Sequence, residues 1–434
     1  MSPIEIGIFG FILTMVVILM GIHVSFALIT IGVLGLVLIL GPEPAFSSIA
    51  LISFNRVTDY SFAVAPLFML MSTFVSRTGI GEDLYKTASA WVGHLKGGLA
   101  MATTVASGLF AACCGSSLAA AIAMGKMAYP EMKRYNYSPT LSVGTIAAGG
   151  TMGILIPPSL GFIIIGILTE LSIGKLFIAG IIPGILEGVF YLGTIFVMCR
   201  INPKLGPPFP KAAMKDKIVS LKYTWPVLGL FLLVIGGIYG GVFTPTEAGG
   251  IGAFGALLVS LTRSQMTRKT LMECLLEGAQ MTAMIIALLI GAFVFNQFLA
   301  ITRIPYVMSE YIVTLGLGRY AVLFLILLFY ILLGMVFDIF AILVLTIPVV
   351  YPTMVSLGFD PIWYSVIMVR IVEIGLITPP FGLNLFGLMG TVDVPIGVMY
   401  RGVIPFLIAD FLNVALLIAV PSLSTFLPDF MLSR

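Results

Sequence analysis

The chain has 434 residues, 59% of them hydrophobic and 9% charged, with a mean hydropathy of +1.14 and a net charge of +3. Soluble domains carry about a quarter charged residues, so this composition excludes that class and specifies a polytopic membrane protein. The near-neutral charge excludes nucleic acid as a partner, and the two histidines, His23 and His94, lie too far apart in sequence to suggest a shared metal.

Apolar windows of about 20 residues, enough to cross a bilayer, fall near 4–21, 26–41, 61–76, 99–125, 139–169, 176–199, 225–243, 247–262, 279–301, 320–350, 362–390 and 398–420. The first has no basic segment before it and no small-residue cleavage site after it, so it reads as a span, not a removed signal peptide. Cys113, Cys114, Cys199 and Cys274 sit in or beside apolar runs, which predicts small buried side chains without a disulfide framework. The amphipathic stretches 79–97 and 303–319 precede the fourth and tenth windows and read as interfacial arms or as ordinary surface loops with some helix. Arg200 to Lys222 holds six Lys/Arg, one acid and four prolines, and reads as an aqueous linker between residues 1–199 and 223–434.

The two halves match at an offset of 222 residues. Every proline of 129–183 falls on a proline of 351–405: Pro130 on Pro352, Pro139 on Pro361, Pro157 on Pro379, Pro158 on Pro380 and Pro183 on Pro405. Tyr129, Gly153, Thr169 and Gly180 fall on identical residues too. Shared leucines mean little in so apolar a chain, but five prolines in one register mean the same backbone breaks laid down twice. Duplicated halves with paired Gly/Pro-interrupted segments mark secondary transporters. Threading the chain with the 200–222 linker in the cytoplasm, and with 99–126 and 320–350 as re-entrant hairpins, places 16 Lys/Arg inside, Arg263 among them. It leaves 6, including Arg434, outside or within a span. That asymmetry obeys the positive-inside rule and makes the repeats antiparallel.

Each segment after a hairpin opens with an N-cap residue and proline: Ser138-Pro139 and Asp360-Pro361. From Pro139 to Thr169 is 31 residues, roughly 46 Å as unbroken helix against about 30 Å of hydrocarbon, so it must bend or break. The breaks fall at Gly149-Gly150, Gly153 and Pro157-Pro158-Ser159, and at Gly375, Thr378-Pro379-Pro380 and Asn384. Irregular backbone at membrane depth lines cavities or is buried in protein, and carbonyls freed there suit a cation. The first hairpin turns at Gly115-Ser116-Ser117. The second turns at Asp338, which serves as cation ligand, substrate hydroxyl acceptor or helix cap; the sequence leaves these open. Thr244-Pro245-Thr246-Glu247 fits a capping box. Arg370 and Glu373, three apart on one helix face, are expected to pair or to contact the frame or substrate.

The stretches FAACCGSSLAA (110–120), GTIAAGGTMGILIPPS (144–159), GVFTPTEAGGIGA (241–253), LLGMVFD (332–338) and ITPPFGLNLF (377–386) resemble the large membrane subunit of tripartite ATP-independent periplasmic (TRAP) transporters, the DctM/SiaM type. The resemblance covers essentially the whole chain. It implies an all-α fold of inverted repeats, with two re-entrant hairpins, broken helices over 139–169 and 361–390, and elevator-type scaffold and transport domains. It implies a sodium-coupled importer of a sialic acid or C4-dicarboxylate in the bacterial inner membrane, with no cofactor beyond the coupling ion. Its implied partners are a separate small four-helix membrane subunit and a periplasmic binding protein. Carried onto this sequence, it implies one sodium site from Gly115, Ser116 and Ser117 with Gly153 and Pro157, and another from Gly334 and Asp338 with Gly375, Thr378 and Pro379. The substrate falls between the tips, toward Ser116, Gly149, Gly150, Ser159, Asp338, Thr378 and Asn384. Cys113-Cys114 depart from the smaller or hydroxyl-bearing residues expected there.

A stand-alone anion carrier without a binding protein is the alternative within the same class. An enzyme is disfavoured, because the sequence shows no HExxH, no clustered acids and no nucleophile elbow. A pathway lacking histidine and poor in carboxylates argues against a proton relay.

Overall fold

The computed structural model describes residues 2–77, 79–262, 266–314 and 316–432. Arg263 and Arg434, both counted in the charge asymmetry, lie outside them. Helix α1 (Pro3–Leu19) starts at a capping box in which Ser2 and Glu5 exchange side-chain and backbone bonds. Next come α2 (Val24–Leu40), α3 (Pro42–Val57), α4 (Val64–Ser76), α5 (Ile80–Val92), α6 (Gly98–Cys114), α7 (Ser117–Arg134), α8 (Pro139–Leu155), α9 (Leu160–Thr169) and α10 (Ile173–Ile201). The second half runs through α11 (Met214–Tyr239), α12 (Pro245–Thr262), α13 (Arg268–Thr302), α14 (Ile304–Thr314), α15 (Arg319–Gly334) and α16 (Ile339–Ser356). It ends with α17 (Pro361–Ile377), α18 (Leu383–Met389), α19 (Ile396–Ala419) and α20 (Ser422–Leu432). Among the described residues there is no strand, and six helical segments are long and apolar enough to cross a membrane, counting 139–169 as one.

Two elements depart from the sequence reading. Helix α3 falls where no element is expected, because Glu43, Ser47, Ser48, Asn55 and Arg56 dilute its apolar run. Gly41 at φ +80° turns the chain into Pro42 at its first position, and α3 is bent 59° from the segment Tyr60–Ser76 that follows. The 200–222 segment is only partly irregular. Helix α10 runs to Ile201 and α11 already begins at Met214, because its prolines stop at Pro210 and Ala212-Ala213-Met214 favours helix. The first turns of α11 pack on α5, with Lys217 Nζ 5.6 Å from the Trp91 ring centroid and Thr87 donating to the Ser220 carbonyl at 3.0 Å.

Helices α1, α2, α4, α11, α12 and α13 pack as a frame, α2 along α13 and α12 against α4. Their outer faces carry Phe9, Leu38, Trp225, Leu232, Phe254 and Met272, each exposed and apolar, as a lipid-facing surface requires. A second group packs around α8, which contacts α6, α7, α10, α17 and α19. In the apolar 18-residue stretch of Pro139–Thr169, 89% of the residues are buried within the protein, against 28% in that of Met214–Tyr239, so the former lies at the centre and α11 at the edge. Helix α5 touches both α11 and α6, and α14 touches both α13 and α16, so each amphipathic segment links the frame to a helix pair of the central group. All four cysteines are buried and free.

The matched prolines occupy matched places. Pro130 and Pro352 sit inside α7 and α16, and Pro183 and Pro405 inside α10 and α19. Pro139 and Pro361 each stand in the first turn of a helix. Asp360 caps its helix by accepting from the Trp363 N–H at 2.8 Å. Ser138 holds the equivalent position without a side-chain capping bond, so that start rests on proline alone.

Candidate functional site

The breaks follow from proline chemistry. Pro158 and Pro380 have no N–H to return to the carbonyls of Ile154 and Leu376, four residues earlier. Helix α8 ends at Leu155 and α17 at Ile377, and both Pro-Pro bonds are cis. The chain restarts at α9, where the Ser159 hydroxyl accepts from the Phe162 N–H at 3.3 Å, and at α18, where Gly382 at φ +71° donates to the Met335 carbonyl at 3.2 Å.

Helices α6 and α7 double back on each other, since the Leu99 N–H at the start of one meets the Tyr137 hydroxyl beyond the end of the other at 3.0 Å. In the second pair the Thr346 hydroxyl meets that of Tyr330 at 3.0 Å, each eight residues from Asp338. The tips are built alike. Ser116 accepts from the Ala119 N–H at 3.3 Å to cap α7; Asp338 Oδ1 accepts from Phe340 and Ala341 at 2.9 and 3.2 Å to cap α16.

Both tips and both breaks face one cavity of about 400 Å³. Its lining comes in pairs 222 residues apart: Ser116 with Asp338, Ser117 with Ile339, Leu118 with Phe340, and Ile154 with Leu376. Asn384 completes the central wall. It has no solvent exposure, and neither its carbonyl oxygen nor its amide nitrogen has a hydrogen-bond partner. Ile18, Ile22, His23, Val24, Met284 and Leu288 close the frame side. The amino ends of α2, which follows His23, and of α7 and α16, capped at Ser116 and Asp338, therefore meet the carboxyl ends of α8 and α17 in one space. Amino ends favour an anion and carboxyl ends a cation, and no Lys or Arg lines the cavity.

Of the residues singled out in the sequence, Ser116, Ser117, Asp338 and Asn384 come together here. Gly115 turns the first tip at φ +62°. Gly149, Gly150 and Gly153 serve close packing: a methyl on Gly153 would lie 2.5 Å from Ala111 Cβ, and one on Gly149 2.7 Å from Ser107 Oγ. One on Gly150 would meet the Ser117 carbonyl at 2.9 Å. Gly334 and Gly375 touch backbone to backbone, where a methyl on Gly375 would come within 2.6 Å of Gly334 Cα. The Thr378 hydroxyl donates to its own helix at Ile374, 2.6 Å away. Pro157 is buried in its break, Pro379 half-buried, and Ser159 buried as a cap; none of the three lines the cavity.

Two expectations need correction. Arg370 and Glu373 do not pair: Arg370 turns to Glu187 on α10, at 3.0 Å, and to Asp410 on α19, because the facing helices bring carboxylates closer than its own helix does. The histidine-free reading of the pathway also fails, since His23 lines the cavity, with Nδ1 2.6 Å from Ser25 Oγ. No local pattern marks His23; the start of α2 reaches the tips only through the tertiary fold. Thr244 and Glu247 form the predicted capping box, the Thr244 N–H donating to Glu247 at 2.8 Å and the Glu247 N–H to Thr244 at 3.3 Å.

The family described as "Tripartite ATP-independent periplasmic transporter, DctM component" matches residues 11–423. The chain is 35% identical over 399 residues to the C4-dicarboxylate TRAP transporter large permease DctM of Pseudomonas aeruginosa, covering 91% of this chain and 92% of that one. It is 30% identical over 413 residues to the sialic acid TRAP transporter large permease SiaM of Vibrio cholerae, covering 95% and 96%. Its fold resembles the Alcanivorax borkumensis YdaH transporter, with a TM-score of 0.63 at 14% identity over 90% of this chain and 89% of that one. With its apolar spans and paired breaks around one cavity, the chain is a multi-pass membrane transporter and belongs to the DctM family of TRAP large permeases.

Proposed function

We propose that this chain is the large permease of a sodium-coupled importer for a small organic acid of the C4-dicarboxylate or sialic acid class. The observation that carries the reading is the meeting of three helix amino ends with two helix carboxyl ends in one cavity. A carboxylate settles among the amino ends, with the unpartnered Asn384 amide to orient it. Sodium, a hard cation that prefers oxygen, suits the freed carbonyls of Ile154 and Leu376, the tip hydroxyls and Asp338, whose second carboxylate oxygen takes no part in the cap. Cation and anion each reduce the other's cost in a cavity lined by no Lys or Arg, which couples their binding.

The duplicated halves act as inverted repeats, and the central group slides as an elevator against the frame. The frame wall of the cavity is apolar apart from His23, and apolar contact is non-directional, so translation breaks few specific bonds. Arg56 on α3, half-buried, and Glu170 after α9, exposed, stand 3.7 Å apart and form a weak link to the central group. Substrate arrives from a periplasmic binding protein, a small membrane subunit completes the frame, and the protein resides in the bacterial inner membrane.

The test is uptake into proteoliposomes holding this chain and its small subunit, with binding protein outside. Uptake of a labelled C4-dicarboxylate or sialic acid that needs both an inward sodium gradient and binding protein is expected. Uptake indifferent to sodium would overturn the coupling, and uptake without binding protein would favour a stand-alone carrier.

A further inference from the structure

A second charged cluster lies in the core, away from the cavity. Arg370 and Glu373 on α17, Glu187 on α10, and Asp410 and Asn413 on α19 have no solvent exposure. Arg370 pairs with Glu187 at 3.0 Å and with Asp410, and its Nε donates to Asn413 Oδ1 at 3.3 Å. Thr151 on α8 donates to Glu187 Oε1 at 3.1 Å and lies 3.0 Å from the Tyr191 hydroxyl. Thr151 and Glu373 stand at the same register, 222 residues apart.

One guanidinium stands among three carboxyls and pairs with two of them. Both oxygens of Glu373 lack a hydrogen-bond donor, as do Glu187 Oε2 and Asp410 Oδ2. The charged groups facing Glu373 are Glu187, Arg370 and Asp410. Helix α8 contributes the neutral Thr151 and α10 also Tyr191; α9, α15, α16, α18 and α20, packed on α17, present no charged group to it. If all three carboxyls were ionised, Glu373 would be a bare anion beside two others in a medium that penalises unpaired charge. The three carboxyls are not placed to hold a metal ion; among the described residues no group of three His, Cys, Asp or Glu is. A proton needs only the carboxyl itself.

We propose that this cluster is a proton-binding site and that Glu373 carries its proton at neutral pH. The proton comes from solution as the core assembles, forms the O–H bond of Glu373, and removes one negative charge; no other bond changes. The proton thus stabilises the junction of α8, α17, α10 and α19, behind the breaks that face the cavity.

Unfolding of the full chain by denaturing detergent, followed by tryptophan fluorescence from pH 6 to pH 9, tests this. An unfolded glutamate ionises near pH 4.3, so above that pH the folded state holds one proton more than the unfolded. Stability then falls as pH rises until the folded state releases it. The wild-type unfolding constant is expected to rise about tenfold more per pH unit than that of Glu373→Gln. Parallel pH profiles would overturn the proposal, as would a Glu373→Gln effect seen only in the response to sodium at fixed pH. If Glu373→Gln does not fold, infrared spectroscopy of the wild type decides. An un-ionised carboxyl band persisting at pH 7 is expected, and its absence would overturn the proposal.

Discussion

Gly375→Ala puts the backbone contact between α15 and α17 to a direct test. The added methyl would lie 2.6 Å from Gly334 Cα and 2.9 Å from both Gly334 C and Ile331 O, all backbone atoms that no rotamer change can move. Restoring an ordinary 3.4 Å contact from 2.6 Å displaces α15 from α17 by 0.8 Å. Overpacking of this kind costs about 1–3 kcal/mol. The shift is carried to Asp338, four residues beyond Gly334, so the second tip moves by a comparable amount at the cavity wall. Misplacement on that scale lowers a rate by as much as about a hundredfold. The assays are detergent unfolding and initial uptake rate, beside Gly193→Ala on α10, where a methyl meets nothing within 4 Å. Gly193→Ala should be neutral or stabilising by up to about 1 kcal/mol. If Gly375→Ala matches Gly193→Ala in stability and uptake, the close-packing argument is wrong.

Three further outcomes are expected. Arg370→Gln leaves Glu187 and Asp410 without their cation and should destabilise the fold by about 3–5 kcal/mol in the same unfolding assay. Asp338→Asn keeps the cap of α16, since asparagine caps as well as aspartate, while removing the charge. Its stability should stay within about 0.5 kcal/mol of wild type while sodium-driven uptake collapses, and normal uptake would reduce Asp338 to a cap. Glu247→Ala breaks the capping box of α12 and should lower the midpoint of detergent unfolding slightly, while uptake should be unchanged.

The breaks and tips were legible because proline and glycine act locally: Pro158 and Pro380 remove a donor wherever they stand, and Ser116 and Asp338 cap the helices that follow them. The proline register placed equivalent helices in correspondence without any tertiary information. Contacts between distant segments were not legible. Arg370 and Glu373 are neighbours on one face, yet Arg370 finds its partners 183 residues before and 40 residues after it, at Glu187 and Asp410. His23 becomes part of the cavity because the frame packs against the tips, and nothing near it in sequence signals that. The resemblance places Gly153 and Gly375 in the sodium sites; that their missing side chains also admit Ala111 and Gly334 is a tertiary contact that no local pattern signals. Helix α3 escaped because Glu43, Ser47, Ser48, Asn55 and Arg56 lower the average of any hydropathy window laid over it.

The most direct test of the cavity as the substrate site is Asn384→Leu, measured for both stability and uptake. The side chain is fully buried with both polar atoms unpartnered, so leucine, of similar size, removes an unsatisfied amide worth about 1–3 kcal/mol. The account predicts a protein at least as stable as wild type, with uptake of the organic acid reduced by about tenfold or more for loss of a hydrogen bond worth about 1.5 kcal/mol to a charged group. A stable Asn384→Leu protein that transports at the wild-type rate would contradict it.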